Sequence, residues 1–241
     1  MNEFEKKAIL FDKDGTLIEF NKIWLHATRA MIPLFTENFS VRDDVVDKEI
    51  LEGLGLSEQK VKDSTAIASG TSWDVAQVLQ QFLEKEDPNI LRFVRAYFYE
   101  YTQEHHSDLQ EIGNVQKLFR RLKDAGYVIG IVTADDYETS MYTIKHLNLE
   151  DMVDFIATGD RYEPKPSMAA LDSFSTIFQI PTSNILFVGD SIIDMQFGKH
   201  CRKGIAVLSG VGDEQELMRY TDAIYPTIHD VPYEQYLDEI I

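Results

Sequence analysis

The fold of this 241-residue chain is decided by the stretch Ala8-Ile9-Leu10-Phe11-Asp12-Lys13-Asp14-Gly15-Thr16-Leu17. Its four leading apolar residues predict a strand buried on both faces, as in a parallel sheet flanked by helices. The strand is followed by two carboxylates one residue apart, and Gly15 indicates that the chain then turns. Ligands of open α/β sheets bind beyond the carboxyl ends of the strands, so chemistry is expected here. Two carboxylates this close repel each other, and the site therefore needs a cation or a shared proton.

Composition restricts the partners of the chain. It carries 23 basic and 41 acidic residues, a net charge of −18, and 44% hydrophobic residues. A surface this acidic repels a phosphate backbone, which argues against nucleic-acid binding. It also repels anionic substrates, so a phosphate site would have to reverse the field locally with a metal ion or a lysine. The hydrophobic content is ordinary for a globular protein with a substantial core.

The sequence also predicts the cellular location of the protein. The single cysteine, Cys201, excludes an intramolecular disulfide framework and fits a reducing cytoplasm. The charged opening residues lead straight into the first strand, so no signal peptide is expected. No apolar run approaches the roughly 18 residues of a membrane span. A cytoplasmic protein without a membrane segment is expected; one chain does not reveal its oligomeric state.

Helical patterns fill the chain between residues 22 and 105. The first is expected over Ile23–Leu34, stopped near Pro33, and a later one after Ser57, with Glu58 and Gln59 in its first turn. Another is expected after residues 69–72, with Thr71 or Ser72 as the capping residue. No strand pattern interrupts this stretch. We therefore predict a helical cap domain, residues 19–107, inserted into a core domain made of residues 1–18 and 108–241.

Strand and helix patterns alternate after Ile112. Buried strands are expected at residues 127–133, 155–158, 184–190, 204–208 and 223–225, and amphipathic helices such as 115–125 lie between them. Asp135 with Glu138 has capping-box spacing for the helix that follows the second strand. This alternation predicts an α/β fold with a doubly wound, Rossmann-like parallel sheet.

Polar residues of distinct types follow several of these elements. Each one alone has a structural explanation as a helix cap or a solvated turn residue. Their order, each near the carboxyl end of an element, favours one shared site. The candidates are Asp12, Asp14, Thr133, Lys165, Asp190 and Asp194.

Four motifs in this order, FDKDGT, VTA, Pro164-Lys165-Pro166 and GDSIID, resemble the haloacid dehalogenase-like hydrolase superfamily. The resemblance covers about residues 4–18 and 110–215. A helical insertion directly after the first motif is similar to the phosphoglycolate phosphatase-like branch of that superfamily. There the segment IASGTSWDV resembles a cap motif, which implies that Ser69, Gly70 and Thr71 select the substrate.

The resemblance implies a division of labour at the site. Asp12 would be the nucleophile that forms an aspartyl-phosphate intermediate, and the Asp14 side chain would move protons to the leaving oxygen and from water. Mg²⁺ would be held by the Asp12 carboxylate, the Asp14 backbone carbonyl and the Asp190 carboxylate, since this hard cation prefers oxygen ligands. Asp194 would orient a metal-bound water or Lys165.

The remaining residues would bind the phosphate. The resemblance implies that Thr133 donates its hydroxyl, that the Ala134 amide lies beside it, and that Lys165 supplies the compensating charge. Asp135 and Asp136 follow directly, where more negative charge is unwelcome unless both point away to cap the next helix. Glu19 has no assigned role.

The expected activity is that of a Mg²⁺-dependent phosphatase acting on a small phosphorylated metabolite, phosphoglycolate-like or sugar-phosphate-like. Asp14 argues against a dehalogenase, because halide needs no acid to leave. A phosphonate hydrolase would need a Schiff-base lysine in the cap, and no cap lysine has a distinctive apolar setting. A phosphomutase of the β-phosphoglucomutase type keeps both aspartates and remains the alternative. A non-catalytic phosphate-binding module is disfavoured because all six candidate residues are present.

Overall fold

The computed structural model describes residues 6–57 and 61–238 of the chain. Within them, six parallel strands form one sheet in the order β3-β2-β1-β4-β5-β6. The strands are β1 (Ala8–Phe11), β2 (Val128–Val132), β3 (Phe155–Ala157), β4 (Ile185–Gly189), β5 (Lys203–Val207) and β6 (Ile224–Tyr225). The predicted α/β fold with a doubly wound parallel sheet is confirmed.

The strand β1 lies at the centre of the sheet because it pairs with both β2 and β4. Phe11 is in register with Ile131 on one side and with Val188 on the other. The strand order reverses between β1 and β4, and this is the position where open α/β sheets form a ligand crevice. Asp12 and Asp190 follow these two strands directly, so both enter the same crevice.

The uninterrupted apolar run of β1 has a simple cause in the packing. Ile9 and Phe11 belong to one hydrophobic core, whereas Ala8 and Leu10 belong to a second. Successive side chains of a strand point to opposite faces, so a sheet covered on both faces needs apolar residues at every position. The second core also holds side chains of the helices that follow β3 and β4.

Eleven α-helices surround the sheet in the described part of the chain. Those of the insertion are α1 (His26–Asn38), α2 (Asp47–Leu54), α3 (Ala66–Ser69), α4 (Ser72–Gln80) and α5 (Ile90–Glu104). The others are α6 (Val115–Asp124), α7 (Tyr137–His146), α8 (Ala169–Phe178), α9 (Ile192–Gly198), α10 (Glu214–Leu217) and α11 (Tyr233–Asp238).

We refer to residues 20–104 as the helical insertion. In its described part the helices are accompanied only by isolated bridges, for example between Val41 and Leu83. Its apolar residues join the same core as β1, β2 and α6. The division into a core domain and a cap domain with the stated limits stays a prediction.

The predicted stop at Pro33 is wrong. A π-helical turn, Asn21–Leu25, leads into α1, and α1 continues through Pro33 to Asn38. Proline inside a helix removes one hydrogen bond, at a cost of about 3 kcal/mol. On the same helix Met31, Ile32 and Phe35 are fully buried, and burying one such side chain yields about 1.5–3 kcal/mol. Packing therefore outweighs the local signal.

The other helix starts have mixed outcomes. The helix expected after Ser57 begins on Glu58 and Gln59, which lie outside the described residues; residues 61–65 form a bridge and turns. Thr71 does cap α4, with a reciprocal pair of bonds to Asp74. The capping box of Asp135 and Glu138 is wrong, because Asp136 is the residue that precedes α7 and it makes no side-chain cap bond.

The structure also describes the single cysteine and the helices that could be considered as membrane spans. Cys201 is a free thiol, and burial raises its pKa to about 12, which leaves it unreactive at neutral pH. Among the described helices, none combines the length and the apolar composition that crossing a membrane requires.

Candidate active site

The first carboxylate of the site, Asp12, is held in place by the sheet. Its backbone N–H donates to the Val188 carbonyl at 2.8 Å, which extends the β1–β4 pairing by one residue. Burial raises the pKa of Asp12 to about 7, although the neighbouring Lys165 opposes this shift. The chain then turns at Gly15, where φ is +81° and a Cβ would come within 2.6 Å of the Asp190 carboxylate. Only glycine fits this turn.

Lys165 joins two of the predicted carboxylates. Its Nζ lies 2.5 Å from Asp12 Oδ1 and 2.7 Å from Asp194 Oδ1, and all three side chains are buried. Burial lowers the pKa of a lysine, but here the Asp12 and Asp194 carboxylates outweigh burial and raise the pKa of Lys165. The lysine is therefore a permanent positive charge beside Asp12.

The Asp190 carboxylate faces Asp12 across the crevice. Its Oδ1 accepts from the Thr16 hydroxyl at 3.2 Å, and its Oδ2 accepts from the Val211 backbone N–H at 2.8 Å. Burial, followed by the nearby Asp194 and Asp12 charges, raises the pKa of Asp190 well above its usual range. Within residues 6–57 and 61–238, no lysine, arginine or histidine forms an ion pair with this buried carboxylate, which lies beside like charges.

Asp194 has two tasks in the structure. Its Oδ2 accepts from the Ser191 backbone N–H at 3.0 Å and from the Ser191 hydroxyl at 2.7 Å, which completes a capping box at the start of α9. Its Oδ1 accepts from Lys165. The contact with Lys165 is one of the two that the resemblance implies, and the capping explanation, considered there as an alternative, holds as well.

Three of these carboxylates could hold a metal ion together. Oxygen atoms of Asp12, Asp190 and Asp194 all lie within 4.8 Å of one another. Three buried carboxylates face a single lysine, so the cluster has an excess of negative charge. All-oxygen ligands and excess negative charge suit a hard divalent cation such as Mg²⁺. The residues present therefore fit the expected cofactor.

The second aspartate of the first motif lies in a different environment. Asp14 Oδ1 accepts from the indole N–H of Trp24 at 2.5 Å, and Oδ2 pairs with Lys13 Nζ at 2.5 Å. Trp24 belongs to the helical insertion, so this bond joins the insertion to the sheet edge. Lys13 also lies over the Trp24 ring, 5.6 Å from its centre.

Lys13 is fully buried at the site, and sequence reasoning assigned it no role. Its Nζ lies 2.8 Å from Asp135 Oδ2 in addition to its contact with Asp14. Burial raises the pKa of Asp135 to about 7 against the opposing effect of Lys13. The charged sequence Asp12-Lys13-Asp14 was the available signal: a lysine between two site carboxylates has a partner within reach on either side.

Asp135 and Asp136 do not cap α7, contrary to the expectation. Asp135 pairs with Lys13 as described above. Asp136 Oδ2 accepts from the Ser72 hydroxyl at 2.6 Å, and its Oδ1 lies 3.4 Å from Arg95 Nε. Each carboxylate is thus drawn to a donor outside the helix, since a cation or a hydroxyl compensates a partly buried charge. Ser72 and Arg95 both belong to the helical insertion.

The predicted phosphate-binding residues line the same cavity as the acids. Thr133 and Ala134 follow β2, and Lys165 closes the same side of the cavity. Thr133 Oγ1 accepts from the Asp135 backbone N–H at 3.2 Å, which leaves the hydroxyl proton for another acceptor. Their roles toward a phosphate stay predictions.

The helical insertion covers the cavity from the other side. We call the residues of the insertion that line the cavity the cap wall. The cavity measures about 40 Å³, room for a few water molecules. The cap wall consists of Phe20, Trp24, Ala66, Ile67, Ala68, Ser69, Gly70, Thr71, Ser72, Val75 and Phe98. It includes the three residues predicted to select the substrate. Glu19, whose role was left open, forms an ion pair with Lys22 instead.

The insertion approaches the sheet closely beside this cavity. A Cβ on Gly159, after β3, would lie 2.2 Å from the Ala134 carbonyl oxygen and 2.7 Å from Thr71 Cγ2. In addition, the Ile192 backbone N–H donates to Asp63 Oδ2 at 3.0 Å. The insertion and the sheet edge are therefore in direct contact beside the cavity.

Comparison with known proteins agrees with this geometry. The model of the family described as haloacid dehalogenase-like hydrolase matches residues 9–208, and the chain belongs to that family. The match identifies the protein as an enzyme of the hydrolase class and confirms the family expected from the four motifs.

Individual relatives are distant but cover most of the chain. A curated relative, pyrophosphatase PpaX of Listeria innocua, is 25% identical over 196 residues, which are 80% of this chain and 78% of that protein. A predicted phosphoglycolate phosphatase of Haemophilus somnus 129PT superposes with a TM-score of 0.70 at 18% identity and covers 94% of this chain and 96% of the other. A hydrolase of Pseudomonas syringae gives 0.68 at 20% identity, covering 98% and 99%.

Proposed function

We propose that this hydrolase is a Mg²⁺-dependent phosphatase that releases phosphate from a small phosphorylated metabolite. The observation that carries the proposal is the position of Asp12. It lies at the strand-order reversal, 2.5 Å from a buried lysine and within 4.8 Å of two more carboxylates. A nucleophile beside a fixed positive charge and a hard-cation site is what phosphoryl transfer requires.

The proposed reaction has two steps, each with Asp12 in line with the phosphorus. First, an Asp12 oxygen forms a bond to phosphorus while the bond to the leaving oxygen breaks, and that oxygen takes a proton from Asp14. Then a water oxygen attacks the phosphorus, Asp14 takes the water proton, and the bond to Asp12 breaks. Phosphate and the original Asp12 carboxylate result.

Asp14 has the contacts that this proton transfer needs. Its two oxygens each receive a donor, from Trp24 and from Lys13, which fixes the orientation of the carboxylate. The second step uses Asp14 as a base, and an oriented carboxylate suits that step directly. In the first step one oxygen of Asp14 must carry a proton. The donor that contacts this oxygen, either Trp24 or Lys13, therefore has to move away from it.

Mg²⁺ would be held by the carboxylates of Asp12 and Asp190 and by the Asp14 backbone carbonyl, with Asp194 fixing Lys165 beside them. When bound, it would neutralise charge on the nucleophile and on the phosphate oxygens. Lys165 adds a compact charge on the same side, and the Thr133 hydroxyl and Ala134 amide would donate to the phosphate.

The helical insertion would form the greater part of a cap domain, residues 19–107, that opens for the substrate and closes over it. The small cavity supports this, because about 40 Å³ leaves little space beyond a phosphate group. Closure would exclude water until the leaving group has departed. Ser69, Gly70 and Thr71 would contact that group.

The single cysteine supports a cytoplasmic location.

Phosphate release from a substrate panel tests the proposal. The panel contains p-nitrophenyl phosphate, 2-phosphoglycolate and several sugar phosphates, each measured with Mg²⁺ and with EDTA. We expect release that requires Mg²⁺ and falls by at least about 10³-fold in Asp12→Asn, because an amide is not a nucleophile at this position. Asp43→Asn, at an exposed residue of the insertion, should match the parent enzyme.

Several results would contradict this assignment. Activity that survives in Asp12→Asn, or that chelation leaves unchanged, would rule out the mechanism. Interconversion of isomeric sugar phosphates with little free phosphate would indicate a phosphomutase. Binding of Mg²⁺ or phosphate without any turnover would indicate a non-catalytic module.

A further inference from the structure

The two sides of the cavity differ completely in charge. The side formed by the sheet edge lines the cavity with five carboxylates and one cation, Lys165, which is paired with Asp12 and Asp194. Lys13, which is not among the lining residues, pairs with Asp14 and Asp135, so the carboxylates still outnumber the lysines by three. The cap wall contains neither a lysine nor an arginine among the residues the structure describes. Its largest side chains are aromatic, namely Phe20, Trp24 and Phe98.

The polar groups of the cap wall are largely engaged with one another or with the sheet edge. The Thr71 hydroxyl donates to Asp74 at 2.7 Å, and the Ser72 hydroxyl donates to Asp136. The Trp24 indole N–H donates to Asp14. Arg95, a nearby cation of the insertion, faces that same Asp136. Among the described residues of the cap wall, no cationic side chain is present to pair with a negatively charged leaving group.

We infer that the physiological leaving group is an uncharged alcohol whose carbon skeleton packs against the aromatic side chains of the cap wall. The inference rests on the proposed phosphatase function and narrows its substrate class. The phosphoryl group faces Lys165 and the cation site, and the rest of the substrate faces the cap wall. Esters of neutral alcohols fit this arrangement; pyrophosphate and phosphorylated carboxylic acids do not.

The physical reason is the penalty for a second negative charge. The leaving group of pyrophosphate is phosphate, and that of 2-phosphoglycolate carries a carboxylate. Either charge would enter a confined site whose five lining carboxylates are paired with only two lysines, Lys13 and Lys165, and a further negative charge beside this excess is disfavoured. Aromatic rings offer apolar contact area to a neutral skeleton instead.

A matched pair of substrates tests the inference on the unmodified enzyme with Mg²⁺. The pair is 2-hydroxyethyl phosphate and 2-phosphoglycolate, which share a two-carbon leaving group but differ by its negative charge. Phosphate release is measured for both, with pyrophosphate and p-nitrophenyl phosphate alongside. We expect kcat/KM for 2-hydroxyethyl phosphate to exceed that for 2-phosphoglycolate by at least about tenfold, and pyrophosphate to be the poorest substrate of the four.

A charge placed on the cap wall should reverse the preference. Ala68 is half-buried in α3 and lines the cavity, so Ala68→Lys would add a cation there, and Ala68→Gln is the neutral control of similar length. We expect Ala68→Lys to shift the ratio of the two kcat/KM values toward 2-phosphoglycolate by about tenfold, whereas Ala68→Gln leaves the ratio within about twofold of the parent value.

The outcomes distinguish a failure of the leaving-group inference from a failure of the proposed phosphatase function. If 2-phosphoglycolate or pyrophosphate is hydrolysed as well as 2-hydroxyethyl phosphate or better, the inference is overturned while the phosphatase function stands. If none of the four compounds releases phosphate, the proposed function fails and the inference with it. The substrate ratio of the parent enzyme is decisive even if the Ala68 variants do not fold.

Discussion

The sheet edge and the cap wall face each other across one cavity, but they are built on opposite principles. The sheet edge concentrates buried charge: Asp12, Asp190 and Asp194 are nearly inaccessible and are fixed by backbone donors and by Lys165. The cap wall presents uncharged side chains from several helices of the insertion and the segments between them. Reactive groups need rigid placement, which strand ends provide, whereas a surface that selects a leaving group needs shape and the ability to move.

Contacts cross the cavity margin from both sides. From the sheet side, Lys13 reaches the ring of Trp24 on the insertion. From the insertion, Trp24 reaches Asp14, and Ser72 reaches Asp136. The contrast in charge therefore depends on a few residues at the boundary, and these are the ones that experiments should alter.

The largest expected effect is on stability, from removing Lys13, one of the two buried lysines of the sheet edge. Lys13→Met keeps the length of the side chain but leaves Asp14 and Asp135 without their shared partner. Breaking a buried ion pair on one side costs about 3–5 kcal/mol. We expect a loss of that size in the free energy of unfolding, measured by urea denaturation at pH 8. Lys117→Met, at an exposed lysine of α6, should change it by less than about 0.5 kcal/mol.

The same variant carries a pH signature. Burial already raises the pKa of Asp135 to about 7 with Lys13 present, and loss of the lysine should raise that pKa further. At pH 5.5 Asp135 would then be neutral, and the destabilisation by Lys13→Met should be smaller than at pH 8. An equal loss at both values would show that Lys13 acts through packing rather than charge.

Lys13 also shows where sequence reasoning reached its limit. The parallel sheet, the helical insertion and the residues that line the cavity follow from apolar runs and from motif order. The pairing of Lys13 with Asp135 does not, because strand periodicity says nothing about a residue in the turn beyond the strand. Asp135 and Asp136 were assigned to a helix start by spacing, whereas their partners are distant in sequence. The Ser72 hydroxyl lies 64 residues from Asp136, and Lys13 lies over 120 residues from Asp135.

Pro33 illustrates the same limit inside the insertion. Local chemistry predicts a helix end there, and the tertiary environment of Ile32 and Phe35 reverses it. Local rules give element types reliably where the apolar pattern is long, and they fail where one local cost is offset by burial against a distant element.

Mg²⁺ should have the next largest effect, again through the sheet edge. Burial raises the pKa of Asp12 to about 7 and that of Asp190 well above its usual range, so between pH 4 and 7 the metal-free folded chain binds protons that the unfolded chain has released. These groups therefore make the metal-free protein less stable as the pH rises through this window. Mg²⁺ needs the ionised carboxylates, so its stabilisation should grow over the same range.

Thermal unfolding with and without Mg²⁺ measures this linkage. At a concentration 100 times the Kd, a ligand of the native state adds about 2.7 kcal/mol. We expect a clear increase in Tm with Mg²⁺ at pH 7.5 and a much smaller one at pH 5. Asp190→Asn should raise the Tm of the metal-free protein and abolish most of the increase. A Mg²⁺ effect that is the same at both pH values, or that survives Asp190→Asn, would place the ion elsewhere.

The smallest effect should come from the cap wall, at the hydrogen bond between Trp24 and Asp14. Trp24→Phe removes the indole N–H that reaches Asp14, yet it retains a ring against Phe98, 5.2 Å away in the parent protein. A hydrogen bond to a charged group contributes about 1.5–3 kcal/mol, and the second donor, Lys13, limits the loss. We expect kcat to fall about tenfold with KM nearly unchanged, because Asp14 loses orientation and the cavity keeps its shape.

Trp73→Phe is the matched control, since Trp73 is the other tryptophan of the chain and is 53% exposed on the same helical insertion. It should leave kcat and KM unaltered, and its remaining fluorescence then reports Trp24 alone. If Trp24 contacts Asp14 in solution, Asp14→Asn in the Trp73→Phe background should change that emission. A rise in KM at constant kcat in Trp24→Phe would instead show that the indole only lines the cavity. The uncharged side would then select substrates without helping to position the acid.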